Sequence, residues 1–195
     1  VLKGHGYRVP MIHRGNHTLF YRLREADGEV DSYFDAYPAR AGAYMNDDAI
    51  VVDHLSRFPA WDGNPVMMQV HLMSAHALGH RDPRLAKYQP AANYSLFALT
   101  GKAGRSSDAI NHYDNGVLQA DATIDAILEM LRQKGYLRDA VVAITPDHGE
   151  ALGEHGSYTH AQGVHDETLN IPFVLLSYGY RPAAPIDGAP IASQV

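Results

Sequence analysis

The stretch from Ser106 to Thr145 limits the possible folds more than any other part of the chain. In "SSDAINHYDNGVLQADATIDAILEMLRQKG", Ile110, Tyr113, Val117, Ala120, Ile124, Ile127 and Leu131 recur at steps of three and four. That spacing predicts one long amphipathic helix with these residues on its buried face. Ser106 or Ser107 can cap its start and Gly135 can end it, while Gly116 weakens its middle. "DAVVAIT" (139–145) follows, apolar from Ala140 to Ile144, which predicts a short buried strand.

The remaining segments extend this alternation. "YRVPMIH" (7–13) reads as a strand that Pro10 confines to an edge or a bulge. "HTLFYRLREA" (17–26) reads as a short helix, and "NDDAIVVDHLSRF" (46–58) as an amphipathic helix capped by Asn46. "PVMMQVHLM" (65–73) and "IPFVLLSYG" (171–179) read as buried strands, and the Pro/Ala-rich tail after Tyr180 as turns. Strands alternating with helices predict an α/β domain, a mostly parallel sheet flanked by helices.

Composition excludes some functions. A formal net charge of -6 argues against a nucleic-acid partner, which would call for a basic patch. The absence of Cys removes disulfides and thiolate metal sites, so any metal must be held by oxygen and imidazole. No run approaches the ~20 apolar residues of a membrane span.

The chemistry concentrates in "TPDHGEALGEHGSYTHAQGVHDETLNIP" (145–172), just past the 139–145 strand. Ligands of open α/β sheets bind at the carboxyl ends of strands. Asp147 and His148 stand there, with Gly149 allowing a sharp turn. An Asp-His-Gly turn alone is more often surface chemistry than a metal site.

The longer string is more specific. Asp147-His148-Gly149-Glu150, Leu152-Gly153-Glu154-His155-Gly156, Tyr158 with His160, Asp166-Glu167 and Ile171-Pro172 together resemble the metal-binding segment of the sulfatase family, in the alkaline phosphatase superfamily. Pro146 departs from the usual Ser or Asn but touches no expected ligand. "VHLMSAHALG" (70–79) is similar to the family's second site strand, an apolar strand ending in a His, here His76, and "GYRVPMIHRGNHTLFYRL" looks like a strand-to-loop segment of its phosphoethanolamine and phosphoglycerol transferase branches. The resemblance spans nearly the whole chain.

This resemblance implies an alkaline-phosphatase-like fold and a metal-dependent enzyme acting on anionic sulfate or phosphate esters. Asp147 and His148 would be the metal ligands, for Zn, Mn or Ca. His76 and His160 would be catalytic, stabilising ester oxygens or protonating the leaving group, or in transferase-like members holding a second ion. It also implies a nucleophile that residues 1–195 lack: a Cys/Ser-x-Pro-x-Arg motif in sulfatases, a Thr in the transferases. The expectation is therefore a partial catalytic domain over 1–195, truncated at both ends, without its nucleophile-bearing N-terminal part and inactive alone. The whole protein is expected to face the periplasm or the cell exterior, and to meet a membrane only through segments outside this chain. The rival activity is phosphoethanolamine or phosphoglycerol transfer to lipids or glycans. A rival of another class is a non-catalytic metal- or ligand-binding member.

Blander readings stand beside these. His76 and His160 can be loop histidines, His71 a core histidine, and His13 and His17 carry no signal. Glu154 and His155 can shape the loop, and Glu150 can orient His148 or be solvated. Asp47 and Asp48 fit a helix N-terminus, where their charge favours the dipole. Arg81 and Arg84 can attract an anion or simply decorate an exposed loop.

Overall fold

The computed structural model describes residues 1–19, 22–37, 46–101, 104–160 and 163–181. The tail expected to form turns lies outside them, apart from its first residues. In chain order the elements are β1 (Pro10–His13), α1 (Leu23–Ala26), β2 (Ser32–Phe34), α2 (Ala49–Ser56), β3 (Gln69–His71), α3 (Ser95–Thr100) and α4 (Ser107–Gln133). They continue as β4 (Ala140–Ile144), β5 (Ala151–Leu152), β6 (Tyr158–Thr159), α5 (Asp166–Leu169) and β7 (Val174–Tyr178).

β1, β2 and β3 form a parallel sheet in the order β2-β1-β3, with Met11 opposite Tyr33 on one side and Gln69 on the other. β1 is thus the central strand, not an edge. Pro10 is tolerated because it is the first residue of the strand, where a missing N–H does least harm. Ile12, fully buried, packs with Ile50, Val51 and Leu55 of α2 and Ile127 of α4. Burying each such side chain is worth about 1.5–3 kcal/mol, enough to clamp both helices on one face of the sheet. A second cluster joins Tyr94, Ala109, Leu152 and Tyr158, tying α3 and the first turn of α4 to the β5–β6 hairpin.

Three further expectations are corrected. β4 and β7 pair antiparallel, and each is half exposed rather than buried, with Val141 at 60% and Leu175 at 46%. Among the described residues they pair only with each other, so each strand has one unpaired edge. Of residues 17–26 only Leu23–Ala26 is helical; positions 20 and 21 lie outside the described residues. The α4 start is as expected at Ser106, but its buried face in the first half is rotated. Asn115, Gly116 and Gln119 face inward and Val117 is 44% exposed. The inward amides satisfy loop backbone: Asn115 pairs with both the N–H and the carbonyl of Tyr88, and Gln119 accepts from the Asp82 N–H and donates to the His80 carbonyl. Buried loop backbone needs such partners, and this demand outweighs apolar periodicity.

Candidate active site

The site forms where the loops after β3 and β4 meet. Beyond β3 the chain is pinned by Asp48, at the start of α2. Its carboxylate accepts from the backbone N–H groups of Met73 and Ser74, both at 2.8 Å, and from the Ser74 hydroxyl. The Arg14 Nε lies 3.5 Å from it, with both side chains essentially inaccessible. Asp48, read from sequence as a helix-start acid favouring the dipole, is also a buried anchor, and Asn46 bonds Arg14 at 3.1 Å instead of capping the helix. The anchored loop carries His76. The Leu78 N–H donates to its Nδ1 at 3.0 Å, which leaves the proton of the neutral ring on Nε2. Burial, with His160 and His148 nearby, pulls the His76 pKa down and keeps the ring neutral.

Beyond β4, Asp147 and His148 occupy the turn. The His148 Nδ1 sits 2.8 Å from the Gly149 carbonyl, which fixes the proton on Nδ1. Its Nε2 therefore presents a lone pair, 3.6 Å from an Asp147 carboxylate oxygen. The Asp147 side chain is 78% exposed. Gly149 closes the turn: its N–H donates to the Thr168 carbonyl, and a Cβ there would collide with the Glu167 carbonyl. A free imidazole lone pair beside an exposed carboxylate fits a divalent cation, the carbonyl-fixed tautomer being the arrangement metal-binding histidines use. Among the described residues no group of three or more His, Cys, Asp or Glu is placed to hold an ion.

His160 completes the group. Its ring centroid lies 4.0 Å from that of His148 and 5.6 Å from that of His76. The preceding Thr159 has φ 71, a strained conformation for a β-branched residue, and such strain concentrates at functional sites. Glu150, 5% exposed, bonds the His160 Nδ1 at 3.1 Å and receives the Tyr94 hydroxyl at 2.9 Å. Glu150 therefore orients His160; it is neither a partner of His148 nor solvated, the two readings the sequence offered. Sequence gave no hint of Tyr94, because the bond spans 56 positions.

Glu154 accepts the Leu152 N–H at 2.6 Å and pairs with Arg105, a loop-shaping role as expected. His155, at φ 51, stacks on His165 at 4.1 Å. A second histidine cluster was missed: His13, His17 and His71 have ring centroids 4.9 to 5.9 Å apart, edge-on to one another. His13 and His71 end β1 and β3, the position that flags site residues in α/β sheets. Burial holds the His13 pKa down at about 4, with His17 adding to the effect.

An α/β domain with its polar clusters at the carboxyl ends of the strands has counterparts among solved structures. The C-terminal periplasmic domain of EptC from Escherichia coli, in complex with Zn, superposes with a TM-score of 0.67 at 16% identity, over 91% of this chain and 50% of that one. The fold is thus that of the sulfatase and transferase domains of the alkaline-phosphatase-like type. The Sulfatase family profile matches residues 1–192, so the chain belongs to the sulfatase family. Among curated proteins, the phosphatidylethanolamine transferase Mcr-1 of Escherichia coli is 30% identical over 102 residues, 51% of this chain and 18% of that protein. The endo-4-O-sulfatase of Bacteroides thetaiotaomicron is 26% identical over 95 residues, 49% of this chain and 19% of that protein. The chain thus spans only a minor part of the curated relatives it matches.

Proposed function

We propose that this chain carries the metal-binding side of an active site that cleaves sulfate or phosphate esters, with Asp147 and His148 holding a divalent ion (Zn, Mn or Ca). The observation that carries this reading is the His148 Nε2 lone pair, 3.6 Å from the Asp147 carboxylate. A bound ion would neutralise non-bridging ester oxygens and lower the pKa of an attacking group. The side chains here do the rest. His76, neutral and protonated on Nε2, donates to an ester oxygen or to the leaving group. His160, held through Nδ1 by Glu150, offers its Nε2 lone pair as an acceptor. In this reading residues 1–195 are part of a catalytic domain, and the nucleophile comes from a segment outside the chain.

Transfer of phosphoethanolamine or a similar group, rather than hydrolysis, is the second reading, favoured by the transferases among the relatives. A periplasmic or extracellular-facing location, with anchoring through segments outside this chain, is part of the proposal. It is supported by the description of the EptC neighbour as a periplasmic domain. Among the described residues no helix is long and apolar enough to cross a membrane.

The test is to assay the full polypeptide containing this chain on nitrophenyl sulfate and on a nitrophenyl phosphate diester, with and without a chelator. Chelator-sensitive release of nitrophenol is expected. Release that depends on an added lipid or glycan acceptor marks the transferase. Absence of turnover on every ester with metal bound would leave the non-catalytic binding reading and sink this proposal.

A further inference from the structure

Arg81 and Arg84 invite the same sequence reading, yet they behave differently. Arg84 points outward, 88% exposed, and pairs with Asp82. Arg81 turns inward, and each of its three nitrogens meets a carbonyl: Nε the His112 carbonyl of α4 at 3.1 Å, Nη1 the Gly79 carbonyl at 3.1 Å and Nη2 the His76 carbonyl at 3.2 Å. The guanidinium fork thus ties both ends of the 76–79 turn to the helix. Gly116 makes the approach possible, because a Cβ there would sit 2.6 Å from the Arg81 Nη2 and would strike the Ser74 carbonyl. Gly79 does the same from the loop side, where a Cβ would lie 2.9 Å from Nη1. Within the clamped turn the Leu78 N–H reaches the His76 Nδ1 and selects its tautomer. An inward guanidinium that bonds only carbonyls around His76 is built to hold backbone rather than to attract an anion.

We propose that Arg81 is a positioning residue: by clamping the His76 and Gly79 carbonyls to α4 it fixes the tautomer and the direction in which His76 presents Nε2 to the ester. The proposal rests on the reading of His76 as a group that faces substrate, but its test does not. Long-range proton–nitrogen spectra of the imidazoles, taken near pH 8 where histidines are neutral, report each tautomer directly. Wild type should show His76 as a single Nε2–H form. In Arg81→Met it should become a tautomer mixture, while His148, fixed by the Gly149 carbonyl, keeps its pattern. Arg81→Lys keeps the charge but not the fork, and should behave like Arg81→Met. A folded Arg81→Met with an unchanged His76 pattern, or a Lys variant that restores it, overturns the proposal. If neither variant folds, wild type decides. The Arg81 Nε–H should exchange with water at least about tenfold more slowly than that of exposed Arg105, as a bonded donor must. Equal rates overturn the proposal. Loss of activity in His76→Gln tests the substrate-facing reading separately.

Discussion

Replacing Asp48 with Asn should be strongly destabilising. The carboxylate, about 1% exposed, receives two backbone N–H groups and a hydroxyl, and it lies 3.5 Å from the Arg14 Nε. Arg14 is fully buried, and among the described residues its Nε and Nη1 have no hydrogen-bond partner. Burial pulls its pKa down to about 10 while Asp48 and Asp47 push it back up, so its charge is tolerated largely through these acids. An amide at position 48 keeps one acceptor, opposes a second N–H with its own NH2, and strands the guanidinium. Removing one partner of a buried ion pair costs about 3–5 kcal/mol, much of the ~5–15 kcal/mol that holds a domain together. Urea denaturation followed by circular dichroism measures the loss. Arg14→Met/Asp48→Asn, which removes the stranded charge, should be more stable than Asp48→Asn alone. A cost under about 1 kcal/mol, the worth of a surface pair, or a double variant no better than the single, would refute the reasoning.

Two further outcomes follow from named side chains. Glu150→Gln removes the carboxylate that holds His160 and should lower kcat/KM of the full polypeptide about 10–100-fold, as losing such a partner typically does; an unchanged value would mean that His160 needs no orienting. Burial holds His13 and His112 neutral, with pKa values of about 4 against an ordinary 6.5. The unfolded chain binds these protons first, so the stabilisation is complete above about pH 6.5 and is lost as pH falls toward 4, by up to about 1.4 kcal/mol per pH unit per histidine. Urea midpoints should fall between about pH 7 and 5, and a flat profile would contradict the burial argument.

The parts of the fold that were legible in sequence are those that depend on near neighbours. The helix from Ser107 shows in its helical periodicity, though not in its full buried face, and the Asp147-His148-Gly149 turn in its place after an apolar strand. What was not legible depends on distant partners. Asp48 looked like a helix-start acid because nothing local reveals Arg14, 34 positions earlier, or Ser74, 26 positions later. Asn115 and Gln119 broke the expected helix face because a loop from Tyr88 back to Ser74 brings them backbone groups and the Ser74 hydroxyl oxygen. Glu150 read as a partner of its neighbour His148 or as solvated, whereas the turn between Gly153 and Ser157 brings His160 back to it. The apolar runs at 140–144 and 174–178 were equally misleading, since composition records hydrophobicity and not whether a face is covered.

The central claim is that Asp147 and His148 hold a divalent ion. Metal analysis of the purified full polypeptide, with Asp147→Ala and His148→Ala beside wild type, tests it without reference to any substrate. Wild type should retain a divalent ion through dialysis, and each variant should lose most of it while its circular dichroism stays unchanged. Equal metal content in folded wild type and variants would contradict the assignment.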